Sequence, residues 1–238
     1  MTTAINRSGI TIHTMNPVHG KGPVFFASLT RDRESCKAFL ISTLWDHLLV
    51  MQESTLGKRC QSSRRAVCKI RVYSGPLGRP RLLLGEVRGP AISFSMCGGK
   101  VWAALCGDGS DIGIDVAGAD EFQSDYPYQR VFHPEELEHA LKLTGGVLDM
   151  ASALLWSIKE AVVKALGCAF HLVDPLQITV HPLVESSGGG YTFPVGLSGK
   201  ALVRFPLAGG RSLRVRSVPQ DSLWLSIALV TRRPAGHE

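Results

Sequence analysis

The chain has 238 residues, 45% of them hydrophobic and 19% charged, with a formal net charge of +6. That length allows one large domain or two of about 100 residues each, with a sizeable core. No run of about 18 apolar residues occurs, which excludes a membrane-spanning helix. The opening MTTAINRSGITIHTM has neither the charged start nor the apolar centre of a secretion signal, so a cytoplasmic location is expected.

In chain order, a strand is predicted near residues 24–29 (VFFASL), then a helix over about residues 31–51, where Phe39, Leu40, Leu44 and Leu48 recur at helical spacing. A polar connector begins a basic stretch: Lys58, Arg59, Arg64, Arg65, Lys69, Arg71, Arg79 and Arg81, with no Asp or Glu between residues 58 and 81. Such a run is either a solvated face or a site for an anionic partner, whether nucleic acid, phosphorylated cofactor or acidic protein. Residues 67–73 alternate with period two, SGPLGRP reads as a turn, and AISFSM and KVWAALCG form a hairpin about Cys97-Gly98-Gly99. Cys36, Cys60, Cys68, Cys97, Cys106 and Cys168 include no C-x-x-C pair. They are expected to be small core residues in a reducing compartment, with no disulfide framework or zinc site.

The second half opens with DIGIDVAG, a strand. HPEELEHAL follows, with Pro134 at a first helical position and Glu135 and Glu136 in the first turn. A long helix is predicted over residues 148–166, stopped by Gly167. LQITV, ALVRFPL, SLRVRSV and LWLSIALV are then read as strands, with Gly-rich loops such as SSGGGY between them. The expectation is an α+β fold of two similar-sized lobes, 1–109 and 110–238, divided near GDGS.

On a helical wheel Trp156, Glu160 and Lys164 share one stripe, while Leu155, Ile158, Val162 and Leu166 gather opposite. An i, i+4 Glu–Lys pair is common on exposed helices and is worth only a few tenths of a kcal/mol. Asp115 is less ordinary. It stands between β-branched residues near the end of an apolar strand, where a carboxylate needs a cationic partner, either an Arg or a metal ion.

GIDV followed by WSIKEAVVKALG resembles the signature of the 4'-phosphopantetheinyl transferases, approximately (V/I)-G-(I/V)-D and (F/W)-(S/C/T)-x-K-E-(A/S)-x-x-K. Trp156, Ser157, Lys159, Glu160, Ala161 and Lys164 fill the second motif. Gly78-Arg79-Pro80 stands where the long, surfactin-synthetase-activating type has G-K-P, and Ile92 to Ser95 stands where it has a strand ending in S-H-S. The resemblance runs from about residue 37 to 176. It implies transfer of phosphopantetheine from coenzyme A to a serine of an acyl or peptidyl carrier protein, Mg²⁺-dependent, with release of 3',5'-ADP. It also implies a monomer of two lobes related by a pseudo-twofold axis, with coenzyme A in the cleft between them. Asp115 and Glu160 would be the metal ligands, Glu160 or a water on the metal the base for the serine, and Lys164 the pyrophosphate ligand. Gly78, Arg79 and Pro80 would wrap the adenine end. Ser95, Met96 and Lys159 would lie near the phosphates, and Arg31, Arg33 or Lys37 would meet the 3'-phosphate. The basic stretch would steer an acidic carrier protein.

Two positions depart from the family pattern. Met96 replaces the S-H-S histidine, and Ala117 stands where many long-type members have a further metal-binding acid. A same-fold protein of lost or altered activity is therefore one alternative. A basic nucleic-acid-binding module is another, though only Tyr73 interrupts the basic cluster with an aromatic ring. The histidines form no convincing set, no G-x-S-x-G supports a hydrolase, and CGDGSDIG lacks the strand–helix context of a dinucleotide fold.

Overall fold

A computed structural model describes residues 1–5, 9–15, 22–30, 36–56, 70–107, 109–122, 126–206 and 213–230. The N-terminal part contains β1 (Thr2–Ile5), β2 (Thr11–Met15), β3 (Val24–Thr30), α1 (Cys36–Leu56), β4 (Ile70–Ser74), β5 (Pro80–Leu84), β6 (Val87–Arg88), β7 (Ala91–Cys97) and β8 (Lys100–Cys106). The remainder contains β9 (Asp111–Gly118), α2 (Pro134–Leu143), α3 (Leu148–Leu166), β10 (Ile178–Val180), β11 (Glu185–Ser187), β12 (Gly190–Leu197), α4 (Gly199–Arg204), β13 (Leu213–Gln220) and β14 (Leu223–Val230).

One antiparallel sheet runs β1-β2-β3-β8-β7 and a second runs β10-β12-β13-β14-β9, with β11 added to β12; β4-β5-β6 form a small third sheet. Side-chain alternation along the strands sets the layers. Phe25, Ala27, Ala103 and Leu105 face Leu40, Ile41 and Leu44 of α1. Val24, Phe26, Trp102 and Ala104 point the other way, against Ile112, Ile114, Val116, Leu225 and Ile227 of the second sheet. The opposite face of that sheet is covered by α3 through Ala151, Leu154, Leu155, Ile158 and Val162. The order is helix, sheet, sheet, helix. Phe25 and Phe26 are both fully buried, each contributing roughly 1.5–3 kcal/mol.

α2 starts where its sequence indicates. Pro134 opens it, and the Glu136 side chain accepts a hydrogen bond from the His133 N–H at 2.8 Å, satisfying a donor that the first turn leaves unpaired. α3 ends at Gly167, left-handed at φ 74, with the Gly167 and Cys168 N–H groups bonded back to Lys164 and Val163.

The structure corrects the expected elements at several points. The helix predicted over about residues 31–51 is described from Cys36 and continues to Leu56, and residues 31–35 lie outside the described part. ALVRFPL, read as a strand, is largely the short helix α4. It forms because Gln177 accepts from the Ala201 N–H at 3.2 Å and the Ser198 N–H bonds the Gln177 carbonyl at 2.9 Å, an end-cap supplied by a distant loop. β1, β2, β5, β6, β11 and β12 were not anticipated. Among the described residues no helix is long and apolar enough to cross a membrane.

Candidate active site

The site forms where β9 passes between β7 and α3. β9 is an edge strand, paired on one side with β14. On its open side Ser93 Oγ and Ser95 Oγ of β7 each accept a backbone N–H, from Ile114 and Val116, at 3.1 Å. Two hydroxyls thus take the ladder bonds that an edge leaves unsatisfied. On its other face β9 meets α3 at backbone distance, because Gly113 has no side chain; a Cβ there would overlap the Ala161 carbonyl. Asp115, two residues on, shares that face and points toward the helix.

Between residues 151 and 165, Trp156, Glu160 and Lys164 alone are not fully buried. The stripe drawn on the helical wheel is therefore the one part of this stretch that faces open space. The buried Asp115 carboxylate accepts from the Lys164 ammonium at 2.6 Å and from Ser95 Oγ at 2.8 Å. Glu160 lies 3.7 Å from the same ammonium. Its carboxyl is pushed above the usual range, first by desolvation and then by the charges of Asp115 and Glu121, with Lys164 opposing. One lysine therefore sits between two acids from different elements.

A cavity of about 240 Å³ opens here, lined by Lys37, Phe94, Ser95, Met96, Asp115, Glu121, Trp156, Glu160 and Lys164. A larger cleft of about 510 Å³ lies beside it, walled by Tyr73, Gly78, Arg79, Pro80, Gly167 and Cys168. Lys37, Phe94 and Lys164 line both. The Lys37 ammonium stands 5.5 Å from the Phe94 ring centre, a cation–π distance that leaves its charge facing the cavities. Met96 is exposed at the rim of the smaller one.

Several side chains expected to contact coenzyme A have other work. Lys159 faces away from both cavities. Its ammonium is fully buried, donating to Glu136 at 2.8 Å and to the Val131 and Pro175 carbonyls at 2.9 and 3.0 Å. All three of its donors are used, so the expected phosphate contact is corrected. Arg79 lines the larger cleft, but its guanidinium pairs with Asp111 at 2.5 Å and donates to the Ala165 carbonyl at 3.3 Å. It joins the turn before β5 to the start of β9 and the end of α3. Ser95 is engaged with Asp115 and Val116, as above. Arg31, Arg33 and the basic residues from Lys58 to Lys69 lie outside the described residues; of the rest of that stretch, Arg71 pairs with Glu86 at 3.2 Å.

Glu121 was missed by the sequence reading. It follows β9 in a 3-10 turn, Ala119–Glu121, and its carboxylate accepts from the Gly118 N–H at 3.0 Å and from the Cys97 thiol at 3.3 Å. Burial, then the hydrogen bond and charge of Glu121 and the charges of Asp120 and Asp115, push the Cys97 thiol up to about 12, which favours the protonated donor seen in its bond to Glu121. The available signal was position alone: an acid six residues after Asp115, beyond the strand's end.

The donor set suits a hard divalent cation, which takes carboxylate oxygens together with waters and phosphate oxygens. Asp115 and Glu160 already flank one positive charge, the Lys164 ammonium. Among the described residues no group of three or more His, Cys, Asp or Glu converges to hold an ion.

Residues 111–200 match the model of the 4'-phosphopantetheinyl transferase superfamily. That span contains Asp115, Glu121, Glu160 and Lys164 but none of the residues from α1, β5 or β7 that face them. No curated protein matches the chain. Among solved structures, the Chronobacterium ammoniagenes ACPS-CoA complex is similar with a TM-score of 0.43 and 20% identity, over 52% of this chain and 98% of that one. The Thermotoga maritima holo-[acyl-carrier-protein] synthase is similar with a TM-score of 0.37 and 19% identity, over 52% of this chain and 64% of that one.

Proposed function

We propose that the protein is a 4'-phosphopantetheinyl transferase of the long type, moving the phosphopantetheine arm of coenzyme A onto a serine of an acyl or peptidyl carrier protein. The observation that carries this reading is the convergence of Asp115 and Glu160 on one positive charge beside a cleft edged by Lys37 and Lys164. The family match over residues 111–200 supports the same chemistry.

Asp115 and Glu160 would hold Mg²⁺, which when bound neutralises charge building up on the pyrophosphate. Lys164 holds the pyrophosphate as a point charge from the adjoining turn of α3. Glu160 would accept the proton of the serine hydroxyl. The serine oxygen bonds the phosphorus that carries the pantetheine arm. The bond from that phosphorus to the bridging oxygen breaks, and 3',5'-ADP leaves. Lys37 faces the phosphates from the opposite wall. The turn at Gly78 and Pro80 borders the adenine end, and Met96 at the rim faces the incoming carrier.

In this reading the two sheet-and-helix halves are lobes divided near residues 109 and 110, related by a pseudo-twofold axis, and the protein acts as a monomer. The test is direct: incubate the protein with coenzyme A, Mg²⁺ and several apo carrier proteins, and weigh the carriers. A mass gain of one phosphopantetheine on the carrier serine is expected. Carriers unchanged in mass across the whole set would overturn the assignment.

A further inference from the structure

We infer that Lys164 is an exchangeable counterion, whose ammonium holds the place between Asp115 and Glu160 until a divalent cation displaces it toward the phosphates in the larger cleft. This deepens the function proposed above and rests on its cation site. The ammonium lies 2.6 Å from Asp115 and 3.7 Å from Glu160, so it occupies the position that a cation bound by both carboxylates needs. An ammonium and a dication cannot both sit at contact distance in a partly desolvated pocket.

Movement of the side chain needs no movement of the helix. Lys164 is 28% exposed, has a flexible four-carbon stem and lines both cavities. When it leaves, Asp115 keeps its bond to Ser95 and gains the cation. The ammonium finds a new anionic partner only if phosphate is in the neighbouring cleft. Cation and pyrophosphate are therefore expected to bind with positive coupling through this one side chain.

The test uses Mn²⁺ as the probe, its free concentration followed by electron paramagnetic resonance without coenzyme A. Wild type, Lys164→Met and Lys164→Arg are compared, with a single cooperative melting transition as the check that the variants are folded. Lys164→Met is expected to bind Mn²⁺ at least tenfold more tightly than wild type, and Lys164→Arg to stay as weak as wild type. Equal affinity of wild type and Lys164→Met would overturn the exchange while leaving the cation site intact. Absence of Mn²⁺ binding in both, or binding that survives Asp115→Asn, would overturn the exchange and the cation site together.

Discussion

Lys159 and Glu136 form an ion pair at 2.8 Å in which neither side chain is more than 1% exposed. Glu136 also accepts from the His133 N–H at 2.8 Å and the Val180 N–H at 2.6 Å, so one carboxylate ties α2, α3 and β10 together. Because Lys159 directly precedes Glu160, anchoring the first fixes the rotation of α3 that turns the second toward the cleft. Burial pulls the Lys159 ammonium below the usual lysine range, with Glu136 opposing. Breaking such a pair leaves an uncompensated charge. Lys159→Met and Glu136→Gln are each expected to cost about 3–5 kcal/mol, and the double variant less than their sum. Urea unfolding of the four proteins measures this; strict additivity would show that the two do not act as a pair.

Glu160 supplies a pH dependence. Its folded-state pKa lies above the unfolded value, so the folded protein binds more protons than the unfolded chain between the two. In metal-free buffer its contribution to stability is full below the unfolded pKa and is lost as pH rises through the folded one. Glu160→Gln is therefore expected to gain on wild type as pH rises from the acid side to neutrality. Glu121→Gln, which removes one of the raising charges, should shift the window to lower pH. Melting temperatures of the three proteins across that range test both statements. Parallel curves for wild type and Glu160→Gln would contradict the first.

The Arg79–Asp111 pair is mostly shielded from solvent, its side chains 13% and 16% exposed. It joins elements distant in sequence, so it should contribute more than an exposed pair. Arg79→Ala is expected to destabilise by about 1–3 kcal/mol, because Asp111 keeps its charge with less compensation. The exchange Arg79→Asp with Asp111→Arg should recover part of that loss. Denaturant unfolding of the single and exchanged variants decides it, and an exchanged pair less stable than either single variant would contradict the clasp.

Gly113 sets the distance between β9 and α3. A Cβ at that position would overlap the backbone of Ala161 and approach that of Ala165, so the helix must shift for it to fit. Gly113→Ala is expected to cost about 3 kcal/mol or more and to lower transfer by moving Glu160 and Lys164 relative to Asp115. A variant with wild-type stability and turnover would show that the seam tolerates a wider spacing.

The stripe on α3 was legible from its 3.6-residue period, because helix geometry fixes which side chains share a face. Asp115 was legible because an apolar strand has no other use for a carboxylate. The extent of β9, the α2 start at Pro134 and the stop at Gly167 followed from local rules as well. Lys159 was misplaced because neighbours in sequence point about 100° apart on a helix, and only tertiary packing shows which of them meets Glu136. The ion pair and hydrogen bond of Arg79 were not legible because its partners are 32 and 86 residues away (111 − 79 and 165 − 79), beyond any local pattern. α4 was read as a strand because a short apolar run has no period long enough to separate the two forms. Its cap comes from Gln177, a loop residue more than 20 positions earlier.

Anomalous diffraction from crystals grown with coenzyme A and Mn²⁺ tests the cation site most directly. The expected result is a single peak at about 2.0–2.3 Å from oxygens of both Asp115 and Glu160, in contact with the coenzyme A pyrophosphate, with the Lys164 ammonium moved onto the phosphates. Coenzyme A bound in the cleft with no peak between those two carboxylates, and Lys164 still on Asp115, would contradict it.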